Sequence, residues 1–251
     1  MKIGKKIISL FYESATKRRR RHIRELDKIF GNTVAYGPLK GFKLGKPSRS
    51  GSDGASMLLG LYELEVQQLM EKESANHDVL LALGAADGYF GLGALVNNLF
   101  SKSYCFEMQE KSQIALLENA KFNGLQDRVT ILGIAEKNFY EQIPADELKR
   151  SFVVVDIEGG EFTILDASTF SAMANSLFVI ELHEHTPDTQ EKVEALCQMA
   201  DLTHTATFMS TGARDLSNIP EVRNYRDTDR WLMCSESRPY LMRWLVLRPR
   251  N

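Results

Sequence analysis

The sequence predicts an α/β fold: a seven-stranded, mostly parallel sheet with an antiparallel last strand, preceded by a helical N-terminal extension. Three observations carry that expectation. From Asp78 onward, short apolar runs alternate with helical segments, the pattern of parallel strands joined by crossover helices. The first run, Val79-Leu80-Leu81-Ala82-Leu83, has no polar interruption, as a strand buried on both faces requires. It leads directly into Gly84-Ala85-Ala86-Asp87-Gly88, a loop of small residues followed by a segment able to start a helix.

The elements follow in order. With 251 residues, 43% of them apolar, the chain can bury one substantial core. Residues 3–30 read as helical, with Ile3, Ile7, Leu10 and Phe11, then Ile23, Leu26 and Phe30, along one side and Gly31 as C-cap. Residues 33–44 hold short extended pieces around Gly37-Pro38 and Gly41, and 45–54 is loop by composition. Helical periodicity resumes over 57–72 through Met57, Leu58, Leu61, Leu64 and Leu69. Strands are expected at 78–83, 103–107, 128–133, 151–156, 177–182, 203–209 and 241–247, and helices near 109–122, 160–174 and 188–199. A long polar stretch, not a regular helix, separates the last two strands, so the final one is read as returning antiparallel in a hairpin at the sheet edge. The chain divides into an extension, residues 1–55, and a domain, residues 56–251.

Charge is uneven: +7 over residues 1–30 and −9 over the rest, for a net −2 that argues against a general nucleic-acid binder. Cys105, Cys197 and Cys234 form neither a disulfide framework nor a zinc pattern, which suits a reducing compartment. No apolar run approaches the roughly 18–20 residues that cross a bilayer. A cytoplasmic protein is expected. The basic run Lys17-Arg18-Arg19-Arg20-Arg21 reads first as a solvated helix face. Contact of residues 1–30 with an anionic inner membrane surface is the next reading. Nucleic acid is last, because no aromatic residues interleave the run.

A glycine loop after the first strand lets backbone lie close to a ligand at a helix N-terminus. The second strand ends in Glu107, where a carboxylate can accept hydrogen bonds from both hydroxyls of a ribose. Glycines at 84, 88 and 91 do not form the G-x-G-x-x-G of a pyrophosphate site. Asp87 inside the loop would repel a pyrophosphate and suits the cationic ammonium or sulfonium of S-adenosylmethionine. The antiparallel closing strand points the same way.

Asp156-Ile157-Glu158-Gly159-Gly160-Glu161 sets three acids at the end of the fourth strand. Glu161 reads as a helix-start residue, Asp156 and Glu158 as groups kept for binding or proton transfer. Period-2 alternation would aim those two the same way if the strand persists that far. Glu181 and His183 end the fifth strand on one side, and an imidazole there suits removal of a hydroxyl proton near neutral pH. His185 reads as an exposed turn residue. Asp156, Glu158, Glu181 and His183 are also candidate ligands of a divalent metal, the lesser alternative.

These motifs together resemble the FkbM-like class I S-adenosylmethionine-dependent methyltransferases, from about Gly60 to Pro249. The matching segments are Gly60-Leu61-Tyr62-Glu63, Gly84 to Phe90, Glu107, Asn123-Gly124 with Arg128-Val129, Asp156 to Glu161 and Glu181 to His183. In the tail they are Thr203-His204, Asp229-Arg230 and Arg238-Pro239 with Met242 and Trp244. The resemblance implies a Rossmann-like fold and methyl transfer to a hydroxyl of a sugar, glycan or other small metabolite. It implies that Gly84, Ala85, Ala86, Asp87, Gly88, Tyr89 and Phe90 hold the methionine end of the cofactor, helped by Tyr62 and Glu63. Glu107 would hold the ribose, while Met108, Ile134, Ala135 and Glu136 border the adenine. Asp156 would lie near the transferred methyl, with Glu158 and His183 facing the acceptor. Ala82 departs from the family, which usually has an acid there. Two alternatives stay open: a nucleic-acid methyltransferase using the basic arm, and a catalytically lapsed cofactor-binding scaffold. Neither the acceptor nor the oligomeric state is encoded in a readable motif.

Overall fold

The computed structural model describes residues 13–45, 51–184, 188–238 and 241–250. The expected helical turns before residue 13, part of the 45–54 loop, and His185 and Pro239 lie outside them. Helix α1 spans Ala15–Phe30, with Ser14 accepting from the Lys17 N–H and Gly31 closing the C-terminus at φ +59°. Its buried side carries His22 as well as the expected Ile23 and Leu26.

The single helix expected over 57–72 is instead two, α2 (Gly54–Leu58) and α3 (Leu64–Glu73). The break has a backbone cause. Gly60 stands at φ +68°, and a Cβ there would lie 2.0 Å from the Tyr36 carbonyl oxygen. Glu63, at φ +43°, turns the chain again just before α3. Neither conformation continues a helix.

The sheet contains β1 (Val79–Leu83), β2 (Lys102–Phe106), β3 (Val129–Leu132), β4 (Ser151–Val155), β5 (Leu177–Glu181), β6 (His204–Ser210) and β7 (Arg243–Pro249). Their order is β3-β2-β1-β4-β5-β7-β6. The five central and left-hand strands pair in parallel, and β7 runs antiparallel to both β5 and β6. The antiparallel last strand is therefore present, but it is inserted beside β5, and β6 forms the edge. The burial of the two strands explains that order. Trp244, Leu245, Val246 and Leu247 of β7 are buried, whereas most of β6 is exposed.

Helices α4 (Tyr89–Val96), α5 (Glu110–Asn123), α6 (Ala145–Leu148), α7 (Glu161–Ile164), α8 (Ala167–Ala172) and α9 (Thr189–Ala200) connect the strands. The segment expected as one helix over 160–174 is split into α7 and α8: Leu165 is extended and Asp166 caps α8 by accepting from the Thr169 N–H. The polar stretch between β6 and β7 also contains a helix, α10 (Asp227–Cys234). Its Met233 and Cys234 are buried, and Arg18 and His22 of α1 reach Asp229 on it at 2.5 and 2.8 Å. The helix owes its place to that long-range packing, which a local apolar pattern does not reveal. No helix among the described residues is long and apolar enough to cross a membrane.

Every residue of β1 is buried, and alternate residues serve two cores. Leu80 and Ala82 join α2 to α5 on one face of the sheet; Val79, Leu81 and Leu83 join Ile164, Phe170, Val193 and Leu196 on the other. At the carboxyl end of β1 the backbone turns through Gly84 at φ +81°, where a Cβ would sit 1.7 Å from the Asp156 carbonyl oxygen. The loops after β1 and β4 thus touch backbone to backbone. Gly84→Ala is expected to cost about 2 kcal/mol or more of folding stability from the left-handed φ and the clash together. A urea denaturation midpoint equal to wild type would contradict this.

Candidate active site

The carboxyl ends of the parallel strands converge on a crevice of about 460 Å³. Ligands of open parallel sheets lie in that position, outside the strand tips where the strand order reverses. One wall is the β1 loop. The amides of Gly84 and Ala85 both donate to the Phe106 carbonyl at 2.9 Å, which pins the loop to the tip of β2. Next along β2 comes Glu107, nearly buried. Its Oε2 accepts from the Ala86 N–H at 2.9 Å and its Oε1 from the Gln109 N–H at 2.7 Å. Backbone on two sides therefore orients this carboxylate, and each oxygen retains a lone pair for a ligand. Met108 and Ile134, 69% and 52% exposed, form an apolar rim on the crevice. Two large apolar side chains standing open at a cleft mouth suit a flat aromatic ring between them.

Of the residues expected around a cofactor, Gly84, Ala86, Glu107, Met108, Ile134, Ala135 and Asp156 line this crevice. Tyr62, Glu63, Ala85, Asp87, Gly88, Tyr89, Phe90 and Glu136 do not line it. Tyr89 is a core residue backing the loop: Gln67 Nε2 lies 3.3 Å from its hydroxyl, and its ring meets Tyr62 edge-on at 5.5 Å. Gly88 serves packing, because a Cβ there would fall 2.5 Å from Leu116 and 2.7 Å from Leu92. Asp87 faces a neighbouring groove shared with Met57 and Lys111, while its carbonyl accepts from Asn119 Nδ2 at 2.7 Å. Gln109, Ser112 and Thr163 line the crevice without having been singled out from the sequence; single polar residues in helical first turns carry no signal of their own.

At the other end of the crevice, β4 stops at Val155. The turn after it brings Asp156 and Glu158 together, Glu158 taking φ +54°; strand alternation plays no part. His183 Nε2 lies 3.6 Å from Asp156 Oδ1, 3.5 Å from Glu158 Oε2 and 3.7 Å from Glu181 Oε2. On the opposite side of the ring, Nδ1 is 3.1 Å from Glu161 Oε1, and the same oxygen accepts from the His183 N–H. Glu161 is fully buried and its other oxygen accepts from the Gly159 N–H at 2.9 Å. It opens α7 as the sequence suggests, and it also orients the imidazole. Burial pushes the Glu161 carboxyl up most strongly, but the His183 side-chain hydrogen bond, two backbone N–H donors and the charge of His183 together outweigh it and hold the carboxyl below its usual range. Burial pushes His183 down; the Glu161 hydrogen bond and the charges of Glu161, Glu181 and Glu158 outweigh it and raise the imidazole above its ordinary 6.5.

Asp156 is pushed well above the usual carboxyl range by burial first, then by Glu181, Glu63 and Glu158. An acid in that condition favours a cationic neighbour. Ligand atoms of Asp156, Glu158 and His183 lie within 4.8 Å of one another, so three of the four candidate metal ligands meet. The fourth, Glu181, is engaged by Arg238.

Arg238 organises the roof of this acidic centre. Its guanidinium contacts Glu181, reaches Glu63 Oε1 at 2.5 Å and holds Glu236 Oε2 at 2.9 Å. Glu236 in turn meets Arg214, which also holds Glu65 at 2.5 Å. This chain of buried charges ties residues 63–65 to the segment before β7. Arg214 and Glu236 are invisible to local sequence reasoning, because their partners are distant in the chain. Ala82 is buried in β1 opposite Cys105 of β2, and a Cβ on Gly91 would lie 3.6 Å from it. Carboxylates near the centre come from Glu63 and Asp156 instead.

A sheet ordered β3-β2-β1-β4-β5-β7-β6, with β7 alone antiparallel, is the Rossmann-like sheet of class I methyltransferases. No protein-family model matches the sequence, and no curated protein is similar to it. Among solved structures, the chain is similar to precorrin-6y C5,15-methyltransferase from Geobacter metallireducens, at 12% identity over 75% of this chain and 88% of that one, with a TM-score of 0.47. An O-methyltransferase from Bacillus cereus in complex with SAH matches at 12% identity over 91% and 90%, with a TM-score of 0.45. The B. subtilis tRNA methyltransferase TrmK matches at 9% identity over 73% and 65%, also at 0.45. With likenesses this distant, the fold rests on its own strand order.

Proposed function

We propose that the protein is an S-adenosylmethionine-dependent methyltransferase acting on a hydroxyl of a sugar, glycan or other small metabolite. The observation that carries the reading is the position of Asp156. It lines the crevice that Glu107 and the apolar rim define, and it also stands 3.6 Å from His183. One carboxylate thus joins the crevice at the strand tips to a candidate proton acceptor. The residues present fit the cofactor: Glu107 for the ribose hydroxyls, Met108 and Ile134 for the adenine, and Asp156 for the cationic methionine end.

The bound cofactor supplies a methyl carbon on a sulfonium, open to in-line displacement. The chain's own part is to position the acceptor and take its proton. His183 Nε2 would accept the hydroxyl proton, which leaves the acceptor oxygen able to take the methyl group that bound S-adenosylmethionine would supply. Glu161 keeps the ring turned so that Nε2 faces the centre. A divalent cation, if one takes part, would use Asp156, Glu158 and His183.

Calorimetry tests the cofactor. The full chain is expected to bind S-adenosylmethionine and S-adenosylhomocysteine and to ignore NAD. Glu107→Ala removes charge-assisted hydrogen bonds and should weaken S-adenosylhomocysteine by about 10- to 100-fold. Binding of NAD in place of both would overturn the proposal.

A further inference from the structure

We infer that the cavity between α1 and the loops at residues 51–52 and 237–238 is a phosphate-binding acceptor subsite, with Arg20 and Arg19 holding the oxyanion. The inference rests on the methyltransferase reading and narrows its substrate to a soluble, phosphorylated small molecule.

The cavity measures about 500 Å³, and Thr16, Arg19, Arg20, Ser52, Ser237 and Arg238 contribute its polar lining. The basic run on α1 proves to be heavily committed within the fold. Arg18 is bound to Asp229 and Thr228, and Arg21 to Glu13 and Glu25. Arg19 gives one nitrogen to Ser235 at 2.7 Å and sets another 4.0 Å from Asp53, leaving donors to spare. Arg20 alone of these four makes no hydrogen bond or ion pair among the described residues, and it faces the cavity. Lys17 and Arg24 stand outside it. A flat basic surface for a membrane would leave the row of guanidinium groups free. Here one fork without a partner among the described residues and one with donors to spare meet in a concave site, which is the arrangement that grips a single phosphate.

The cavity also borders a groove that adjoins the cofactor crevice. Gly51 is common to it and to the groove over the β1 loop, and that groove shares Ala86, Gln109 and Ser112 with the cofactor crevice. Arg238 forms the wall between the cavity and the acidic centre, its guanidinium turned to Glu63 and Glu181. The two regions have opposite charge. Glu63, Asp156, Glu158 and Glu181 repel an anion and suit the cationic cofactor, while Arg19 and Arg20 attract one. The phosphate of an acceptor is thereby drawn to the arginines and kept from the acids beside His183.

Isothermal titration of the full chain with glucose 6-phosphate, with glucose, and separately with S-adenosylhomocysteine tests the site. The phosphate ester is expected to bind and glucose not to. Arg20→Gln should weaken the ester by about tenfold or more while S-adenosylhomocysteine binds as before. Equal binding of the ester by wild type and Arg20→Gln, or no preference for it over glucose, would overturn the inference. So would sedimentation with phosphatidylglycerol vesicles in the absence of ester binding, which would assign the arginines to a membrane surface. Retained S-adenosylhomocysteine binding with the ester refused rejects this subsite alone; loss of both rejects the methyltransferase reading beneath it.

Discussion

His183→Ala is expected to lower methyl transfer by about 10²- to 10⁴-fold, the usual contribution of a positioned general base. Binding of S-adenosylhomocysteine should be nearly unchanged, because His183 does not line the cofactor crevice. The readout is S-adenosylhomocysteine released in the presence of hydroxylated acceptors, with and without EDTA. Turnover that survives the substitution would remove His183 as the base. Turnover lost to EDTA in the wild type would make it a metal ligand instead. The pH profile carries an independent sign. His183 is raised above 6.5, so its neutral form, the one able to accept a proton, grows only as pH climbs past that value. The rate should therefore rise through an alkaline-shifted limb. Glu161→Gln removes the main raising contact, so that limb should move to lower pH, although a less well-oriented ring lowers the plateau. A limb that stays in place would mean that another group titrates.

Arg238→Met is expected to destabilise the fold by about 3–5 kcal/mol at pH 8, the range for removing one partner of a buried charge pair. The guanidinium is 14% exposed and faces Glu63 and Glu236, 3% and 5% exposed, as well as Glu181. Without it these acids ionise unfavourably or hold protons. The loss should shrink markedly near pH 5, where protonation relieves the repulsion. The wild type is expected to follow the same linkage in weaker form. Burial, Glu181 and Glu236 push Glu63 up to about 8 against the pull of Arg238. A carboxyl raised in the folded state binds its proton more tightly there than in the unfolded chain. Its contribution to stability is then present at low pH and fades between about 4.5 and 8 as pH rises. Urea denaturation of both proteins at pH 5 and pH 8 measures this. A penalty for Arg238→Met that is equal at the two pH values would show that lost packing, including its stacking on Trp244, dominates over charge.

Much of the centre could be read from short segments. The apolar runs before Gly84 and Asp156 had to be buried strands, since Val79–Leu83 and Ser151–Val155 offer no polar face to water. Groups attached to the tips of such strands then had to converge, which placed Glu107, Asp156 and His183 near one crevice. Period and breaker residues, acting over fewer than ten positions, suffice for that. The same local rules failed where a backbone torsion overruled periodicity: apolar spacing alone runs a helix through Gly60 and Glu63, and through Leu165.

The chain alone therefore determined the parallel core, the glycine turn and the acids at its strand tips, because each depends on neighbours in sequence. Tertiary structure decided the rest. It placed β7 inside β6, and it built α10 against α1. It set Glu161 behind His183 and closed the acidic centre with Arg238 and Arg214, whose partners lie up to 175 residues away. Pairings at that range leave no periodic trace, since a charge is neutral in meaning until the fold brings it a partner and takes away its water.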